Sequence, residues 1–317
     1  MWAAQSNFCL LEPACNAIKN QKSKIKNPAV NWSLITATNN DAVLQSCLAN
    51  SPCFHSACDF QAMRGAASAG IAYNAGLRKA RGEIVVFAHQ DMYLPEGWDQ
   101  CLAEAVRKLS ISDPDWGVLG VWGFTGESKP AGHSYCTGLQ KVLGRPFETP
   151  LPCISLDEAL LVLRRSSGLA FDEQLPGFHL YGTDICLTAR QKAMNCYVIP
   201  AFCIHNTAGL KFLPWAFWRA YLYMRAKWWR QLPLKTPCTT IARFPTQLIE
   251  DPLRSAYAHY LKRRPVGNRV PDPHSLYQEL VRHSQRTCPS IPATMRADLD
   301  GASVGPNHAV LKRKAKG

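Results

Sequence analysis

Short apolar runs, separated by polar turns and amphipathic segments, mark the central part of the chain. Several of these runs are rich in β-branched residues and lack polar alternation, which is typical of strands buried on both faces of a sheet. Helix-like segments follow most of them. The predicted strands cover 32–37, 84–87, 116–124, 160–164 and 197–200, and the predicted helices 42–49, 68–79, a stretch ending near 109, 185–192 and 213–230. This order of elements predicts an α/β fold.

The run at 84–87 stops abruptly at His89-Gln90-Asp91. In an open α/β sheet the ligand crevice lies beyond the carboxyl ends of such strands, so these side chains are expected at a site. The alternative is an aspartate that caps the next helix, and this pattern alone leaves both open. Residues 125–152 are rich in Gly, Pro and Ser and are expected to form a long connection.

Two ordered blocks carry a resemblance to a known family. The first, SAGIAYNAGLRKARGEIVVFAHQDMYLPEGW at 68–98, resembles the middle of family 2 glycosyltransferases, and its His-Gln-Asp is similar to a branch that lacks the common Asp-x-Asp. The second, LDEALLVLRRSSGLAFDEQLPGFHLYGTDICLTARQKAMNCYVIPAFCIHNTAG at 156–209, looks like the second half of that branch. With the strand-like start at 32–41, the resemblance covers roughly residues 30–210.

The resemblance implies a GT-A type nucleotide-diphospho-sugar transferase fold, with a mixed, mostly parallel sheet flanked by helices. It also implies inverting transfer of a sugar from a nucleotide-diphosphate sugar to a hydroxyl acceptor, which stays unidentified as a glycan, a lipid-linked molecule or a small molecule. The 125–152 connection would then be a variable acceptor loop. By the same resemblance the donor-binding residues are Thr36, Ala37, Thr38, Asn39, Asn74, Gly76, His89 and Gln90. Asn39 as a plain helix cap and Gly76 as a plain packing glycine are alternatives.

A hard cation such as Mn²⁺ or Mg²⁺ would neutralise the departing diphosphate. Asp91 matches the metal-contacting aspartate of the family motif, and His205 matches a histidine that completes the site in several relatives. His89 replaces an aspartate of the usual motif. One carboxylate with one or two imidazoles suits Mn²⁺ better than Mg²⁺.

Asp184 stands where the family places its catalytic carboxylate, so it is the expected base; the alternative is an aspartate stabilised at a helix N-terminus. Two carboxylate pairs in the same block, Asp157-Glu158 and Asp172-Glu173, are expected to be turn and surface residues framing the acceptor region.

The chain has 317 residues, 47% of them hydrophobic, and a formal net charge of +13. Such an excess favours polyanionic neighbours, but no nucleic-acid-binding signature is present, so no nucleic-acid partner is expected. No Gly-rich phosphate loop is found, which argues against a dehydrogenase or a P-loop kinase. The 13 scattered cysteines show no zinc-ligand spacing, and together with the lack of a persuasive signal peptide they indicate a reducing, cytoplasmic location.

The aromatic and basic segment 213–230 suits either a membrane interface, at the inner face of a membrane, or packing on the sheet edge. We favour packing of this helix on the sheet, and we therefore expect the protein to associate only weakly with a membrane surface. The predicted organisation is a leader at 1–30, a glycosyltransferase domain at 31–232, and a helical, basic and partly disordered extension at 233–317. Two rivals remain, a degenerate domain that binds a nucleotide sugar or glycan without turnover and a nucleotidyltransferase.

Overall fold

The computed structural model describes residues 30–287. The strands are β1 (Trp32–Thr38), β2 (Asp59–Arg64), β3 (Ile84–Ala88), β4 (Met92–Tyr93), β5 (Val118–Gly120), β6 (Trp122–Phe124), β7 (Pro130–Cys136), β8 (Lys141–Gly144), β9 (Leu151–Cys153), β10 (Ser155–Leu156), β11 (Leu160–Arg164), β12 (Cys196–Val198), β13 (Cys203–His205), β14 (Leu234–Lys235) and β15 (Thr240–Ile241). The α-helices are α1 (Asp41–Ser46), α2 (Ala69–Lys79), α3 (Trp98–Ser112), α4 (Tyr181–Gln191), α5 (Trp215–Lys227), α6 (Gln247–Ala256) and α7 (Pro273–Thr287).

A seven-stranded sheet with the order β2-β1-β3-β11-β5-β12-β9 forms the centre of the fold. β1 runs parallel to β2 and β3, and β12 runs parallel to β5, whereas β11 pairs antiparallel with both of its neighbours. The predicted α/β class, a mixed sheet flanked by helices, is therefore confirmed.

β3 is buried along its whole length, as its uninterrupted apolar sequence predicted. Val85 and Phe87 point into a core shared with α2, α4 and α5, while Ile84, Val86 and Ala88 point into a second core shared with α1 and α3. Because successive side chains of a strand face opposite sides, a strand between two helical layers needs apolar residues at every position.

A second sheet with the order β10-β6-β7-β13-β4 packs beside the first, and β8 pairs with β7. The long connection predicted at 125–152 carries regular structure, since this segment contributes β7, β8 and the start of β9; its role as an acceptor loop stays a prediction. The predicted strand at 116–124 is likewise two strands, because β5 pairs with β11 in the central sheet and β6 pairs with β7 in the second.

Local capping explains two helix starts. The Ser68 hydroxyl accepts a hydrogen bond from the Ile71 amide at 3.3 Å and begins α2, and Gly97 takes a left-handed conformation (φ 83°) before α3. α4 begins at Tyr181, four positions before the predicted start.

Among residues 233–287, α7 packs on the preceding fold. Leu280 of α7 is buried against Tyr93, Phe202 and Ile204. The predicted boundary at 232 stays a prediction. Residues 1–29 of the predicted leader at 1–30, and residues 288–317 of the predicted partly disordered extension, lie outside the described residues. Within 30–287, no helix combines the length and the apolar character that a membrane span requires.

Candidate functional site

His89, Asp91 and His205 come together at the end of β3. The His89 amide donates to the Ala159 carbonyl at 2.9 Å, which fixes the loop as it leaves the sheet. The chain then turns into β4, whose Met92 pairs with His205 of β13, and the Asn206 amide donates to the Asp91 carbonyl at 2.8 Å. One ligand atom from each of the three side chains lies within 4.8 Å of the others. This group could hold a metal ion.

Asp91 is the anionic centre of this group. Its Oδ1 lies 3.4 Å from His205 Nε2, and its Oδ2 lies 3.1 Å from Arg269 Nη2. Burial alone would raise the pKa of the Asp91 carboxyl, but the charges and hydrogen bonds of His205, His89 and Arg269 outweigh it and hold that pKa well below its usual range. Burial would lower the pKa of His205, but the Asp91 carboxylate raises it above its usual value. The Asp91 carboxylate thus favours the protonated form of His205, and the His205 imidazolium favours the ionised form of Asp91.

His89 has the opposite electrostatic character. Burial, followed by the charge of His205, lowers the pKa of its imidazole to about 4, so the ring is neutral at physiological pH. Its Nε2 lies 2.8 Å from the Tyr181 hydroxyl, which donates its single proton to the Glu158 carbonyl at 2.8 Å. The hydroxyl must therefore accept from Nε2–H, and this tautomer leaves Nδ1 with the lone pair that a metal ligand needs.

A cleft of about 380 Å³ opens beside this group. Its walls are formed by Ala37, Thr38, Asn39, Met63, Gly65, Ala66, Tyr73, His89, Gln90, Asp91 and Phe178. Gln90 ties the two loops of the cleft together. Its Oε1 accepts from the Thr38 hydroxyl at 2.6 Å and from the Asn39 amide at 3.2 Å, and its Nε2 donates to the Asn39 Oδ1 at 2.8 Å. The structure thus brings together the predicted loops that follow β1 and β3.

Three predicted donor-binding residues do not line this cleft. Thr36 is fully buried within β1. The Asn74 side chain holds the backbone of Phe171, accepting from its amide at 2.9 Å and donating to its carbonyl at 2.8 Å. A Cβ at Gly76 would lie 2.6 Å from Ile35 Cγ2, so the glycine allows α2 to approach β1. These positions fix α2 on the sheet behind the cleft.

Asp184 is also absent from the cleft walls. It lies in the first turn of α4, is 2% exposed, and receives hydrogen bonds from Lys227 Nζ at 2.9 Å and Trp228 Nε1 at 2.7 Å. Burial raises the pKa of its carboxyl although Lys227 opposes the shift. Lys227 also contacts Asp172 Oδ2 at 2.7 Å. In this arrangement Asp184 joins α4 to α5, and its role as a base stays a prediction.

The turn 157–159 carries two further carboxylates, and its backbone is bonded to His89. Asp157 Oδ1 accepts from the Ala159 amide at 2.9 Å, and the carbonyl of Ala159 holds the His89 amide. After burial and Asp91, the Asp157 charge is the next largest influence on the pKa of His205. The surface position expected for Glu158 was wrong, because this residue is 7% exposed.

Glu158 and Arg269 are the site features that sequence reasoning missed. The Glu158 Oε1 accepts from the Leu180 amide at 3.0 Å, and burial, with the charge of Asp157 next, raises the pKa of its carboxyl to about 8. Arg269 reaches Asp91 from 178 positions further along the chain. The only local feature that pointed to Arg269 was the basic character of the surrounding segment, and a basic segment is equally typical of a solvated surface.

No protein-family model matches the chain. A protein of Fuscovulum blasticum described as "ATP synthase subunits region ORF 6" is 34% identical over 137 residues, which are 41% of this chain and 53% of that protein. This chain therefore spans about half the length of the curated relative it matches.

Two solved structures have a partly similar chain path. Mannosyltransferase PcManGT from Pyrobaculum calidifontis, in complex with GDP-Man and Mn²⁺, is 16% identical, with 93% of this chain and 87% of that chain covered and a TM-score of 0.40. S. aureus TarS 1-349, in complex with UDP, is 13% identical, with 73% of each chain covered and a TM-score of 0.41. Neither likeness assigns an activity to this chain.

Proposed function

We propose that this protein transfers a glycosyl group from a nucleotide-diphosphate sugar to a hydroxyl acceptor, with inversion and with the aid of Mn²⁺ or Mg²⁺. The observation that carries the proposal is the juxtaposition of the cleft with the His89, Asp91 and His205 group. The cleft volume of about 380 Å³ falls within the range of small-molecule sites. The family resemblance of the two sequence blocks agrees with this assignment.

The residues present fit a divalent cation. Asp91 is ionised, and the hydrogen bond from His89 Nε2–H leaves Nδ1 available. His205 would contribute its imidazole after releasing a proton. One carboxylate and two imidazoles favour Mn²⁺ over Mg²⁺, which prefers oxygen ligands. When bound, the cation would neutralise charge on the departing diphosphate.

The chain itself supplies the donor pocket. Ala37, Thr38 and Asn39, held by Gln90, would contact the base and ribose of the nucleotide, and Thr36, Asn74 and Gly76 would act by positioning the elements behind it. Arg269 is a second positive group beside Asp91, and it would stabilise the negative charge of a diphosphate.

Removal of a proton from the acceptor hydroxyl needs a general base, and a carboxylate can serve as one. Asp184 is the base that the sequence indicates, and it would first have to exchange its contact with Lys227 for the acceptor. Asp157 is the alternative that the geometry adds, since its turn is bonded directly to His89. Either carboxylate would take the proton of the acceptor hydroxyl, whose oxygen then attacks the anomeric carbon as the nucleotide diphosphate leaves, and this single displacement inverts the anomeric centre.

The test is donor binding in the presence and absence of metal. GDP-Man, UDP and related nucleotide sugars are added to the parent protein with Mn²⁺ or with EDTA, and the melting temperature is recorded, because a ligand that binds the native state raises it. In Mn²⁺ the parent is expected to be stabilised and Asp91→Asn to lose most of that gain, while the two behave alike in EDTA. Asp115→Asn, at an exposed position away from the cleft, is the matched control.

Equal stabilisation of parent and Asp91→Asn at saturating Mn²⁺ would remove Asp91 from the metal role. The second candidate function is a degenerate domain that binds donor without turnover. The engagement of both Asp184 oxygens favours it. Donor binding without transfer to any of a panel of hydroxyl acceptors would support this candidate.

A further inference from the structure

One exposed apolar surface has no role in the proposed reaction. It lies on α6 and on the π-helical turn Tyr257–Leu261 that continues it. Five large side chains, between 51% and 73% exposed, form what we term the 249–261 face: Ile249, Leu253, Tyr257, Tyr260 and Leu261. Positions 249, 253 and 257 are four apart, so they share one side of the helix. Scattered apolar residues are ordinary on a surface, whereas a contiguous set is not.

The opposite side of α6 is anchored to the fold. Gln247 Oε1 accepts from the Tyr221 hydroxyl at 3.1 Å, and Asp251 Oδ2 accepts from the Thr239 hydroxyl at 2.5 Å. Leu248 packs against the main core. The helix is therefore held with its apolar side outward, and within residues 30–287 this side stays exposed.

Basic residues border the face. Lys262, Arg263 and Arg264 follow it directly and are exposed, and the Arg254 side chain is 73% exposed. Lys211 Nζ lies 5.3 Å from the ring centre of Tyr260. The acidic residues on the same helix are Glu250 and Asp251, and Asp251 already contacts Arg254 at 3.5 Å.

From apolar and tyrosine side chains flanked by cations, we propose that the 249–261 face docks on an anionic lipid surface. A helix lying in the plane of a membrane buries its apolar side at the headgroup boundary while cations contact anionic lipids. Tyrosine suits this boundary because its ring is apolar and its hydroxyl stays hydrated. α5 buries Trp218 and directs Lys227 to Asp172 and Asp184, so part of its aromatic and basic surface is taken up by the fold.

Flotation of the full chain with lipid vesicles tests the proposal. The parent protein is expected to float with vesicles of phosphatidylcholine and phosphatidylglycerol, to float weakly with phosphatidylcholine alone, and to dissociate in part as salt rises. The double variant Ile249→Ser with Leu253→Ser should lower the partition coefficient on the order of tenfold. Ile111→Ser is the matched control, because Ile111 is 76% exposed at the end of α3 and lies off the face.

The electrostatic part is tested separately. Changing Lys262, Arg263 and Arg264 together to Ser should weaken binding to anionic vesicles on the order of a hundredfold at low salt and leave binding to neutral vesicles unchanged. Arg78→Ser with Lys79→Ser and Lys129→Ser, three exposed basic positions off the face, is the control for loss of net charge. All substituted side chains are exposed, so melting temperatures should stay close to that of the parent.

Three outcomes would overturn the proposal. One is failure of the parent to float with anionic vesicles at low salt, and another is flotation of the Ile249 and Leu253 double variant as strong as that of Ile111→Ser. The third is self-association without lipid, measured by analytical ultracentrifugation, that the double variant abolishes; it would assign the face to a second copy of this chain.

Discussion

Asp184→Asn separates a packing role from a catalytic role. The parent carboxylate is 2% exposed and is bonded to Lys227 and Trp228. Removing one partner of a buried ion pair costs about 3–5 kcal/mol. The side chain of Lys227 is 27% exposed and keeps its contact with Asp172 at 2.7 Å. The new asparagine can still accept the hydrogen bond from Trp228 Nε1. The free energy of unfolding should therefore fall by less, about 2 kcal/mol.

The assay is urea-induced unfolding at neutral pH, analysed for the free energy of unfolding. Asp172→Asn, which removes the more exposed partner of Lys227, should cost only about 1 kcal/mol. A double-mutant cycle of Asp184→Asn with Lys227→Met should give a coupling energy of about 1–3 kcal/mol. An Asp184→Asn variant within about 0.5 kcal/mol of the parent, with no coupling to Lys227, would refute this reasoning.

The turnover of folded Asp184→Asn, measured on a true acceptor, shows whether Asp184 or Asp157 is the base. If Asp184 is the base, turnover should fall at least about a hundredfold while donor affinity barely changes. If Asp157 is the base, Asp157→Asn should show that loss, and Asp184→Asn should lower stability alone.

Three further predictions concern stability. Burial raises the pKa of Glu158 to about 8 in the folded protein, whereas in the unfolded chain this pKa is near 4.5, so the free energy of unfolding should fall as the pH rises from 4.5 to 8. Glu158→Gln should reduce this dependence of the unfolding free energy on pH. The same dependence in the variant and the parent would contradict a buried, protonated Glu158. Gly76→Ala, whose Cβ would press on Ile35, should cost about 1–2 kcal/mol, whereas Gly126→Ala, with open space around it, should be neutral in the same urea titration. Trp218→Ala should lower stability by about 3 kcal/mol and leave vesicle binding unchanged, and reduced binding at full stability would contradict packing of α5.

The sequence by itself determined the elements whose apolar residues are contiguous. β3 and β11 are observed within one residue of their predicted bounds, because both are buried on two faces and carry unbroken apolar runs. The cleft loops 37–39 and 89–91 were also predictable. They follow central strands directly, and the carboxyl ends of neighbouring parallel strands meet at one edge of a sheet.

The second sheet depended on the tertiary structure. β7 carries polar and small residues. It pairs with β6 and β8, which are close in sequence, and with β13, which lies 67 or more positions further along the chain, as in the pairing of Tyr135 with Ile204. Strands of this composition give no apolar run of their own, so only their neighbours stabilise them. Local sequence therefore indicated a loop.

The charges of the site and the exposure of α5 and α6 were likewise decided by the fold. Arg269 reaches Asp91, and Lys227 reaches Asp184, through contacts that no spacing along the chain encodes. Both α5 and α6 carry apolar and basic side chains. α5 buries the side that carries Phe217 and Tyr221 because this side packs against the main core. α6 exposes Ile249 and Leu253 because only its other side meets the fold. Composition specifies how apolar a helix is, and the surface available for it to pack on decides which side becomes buried.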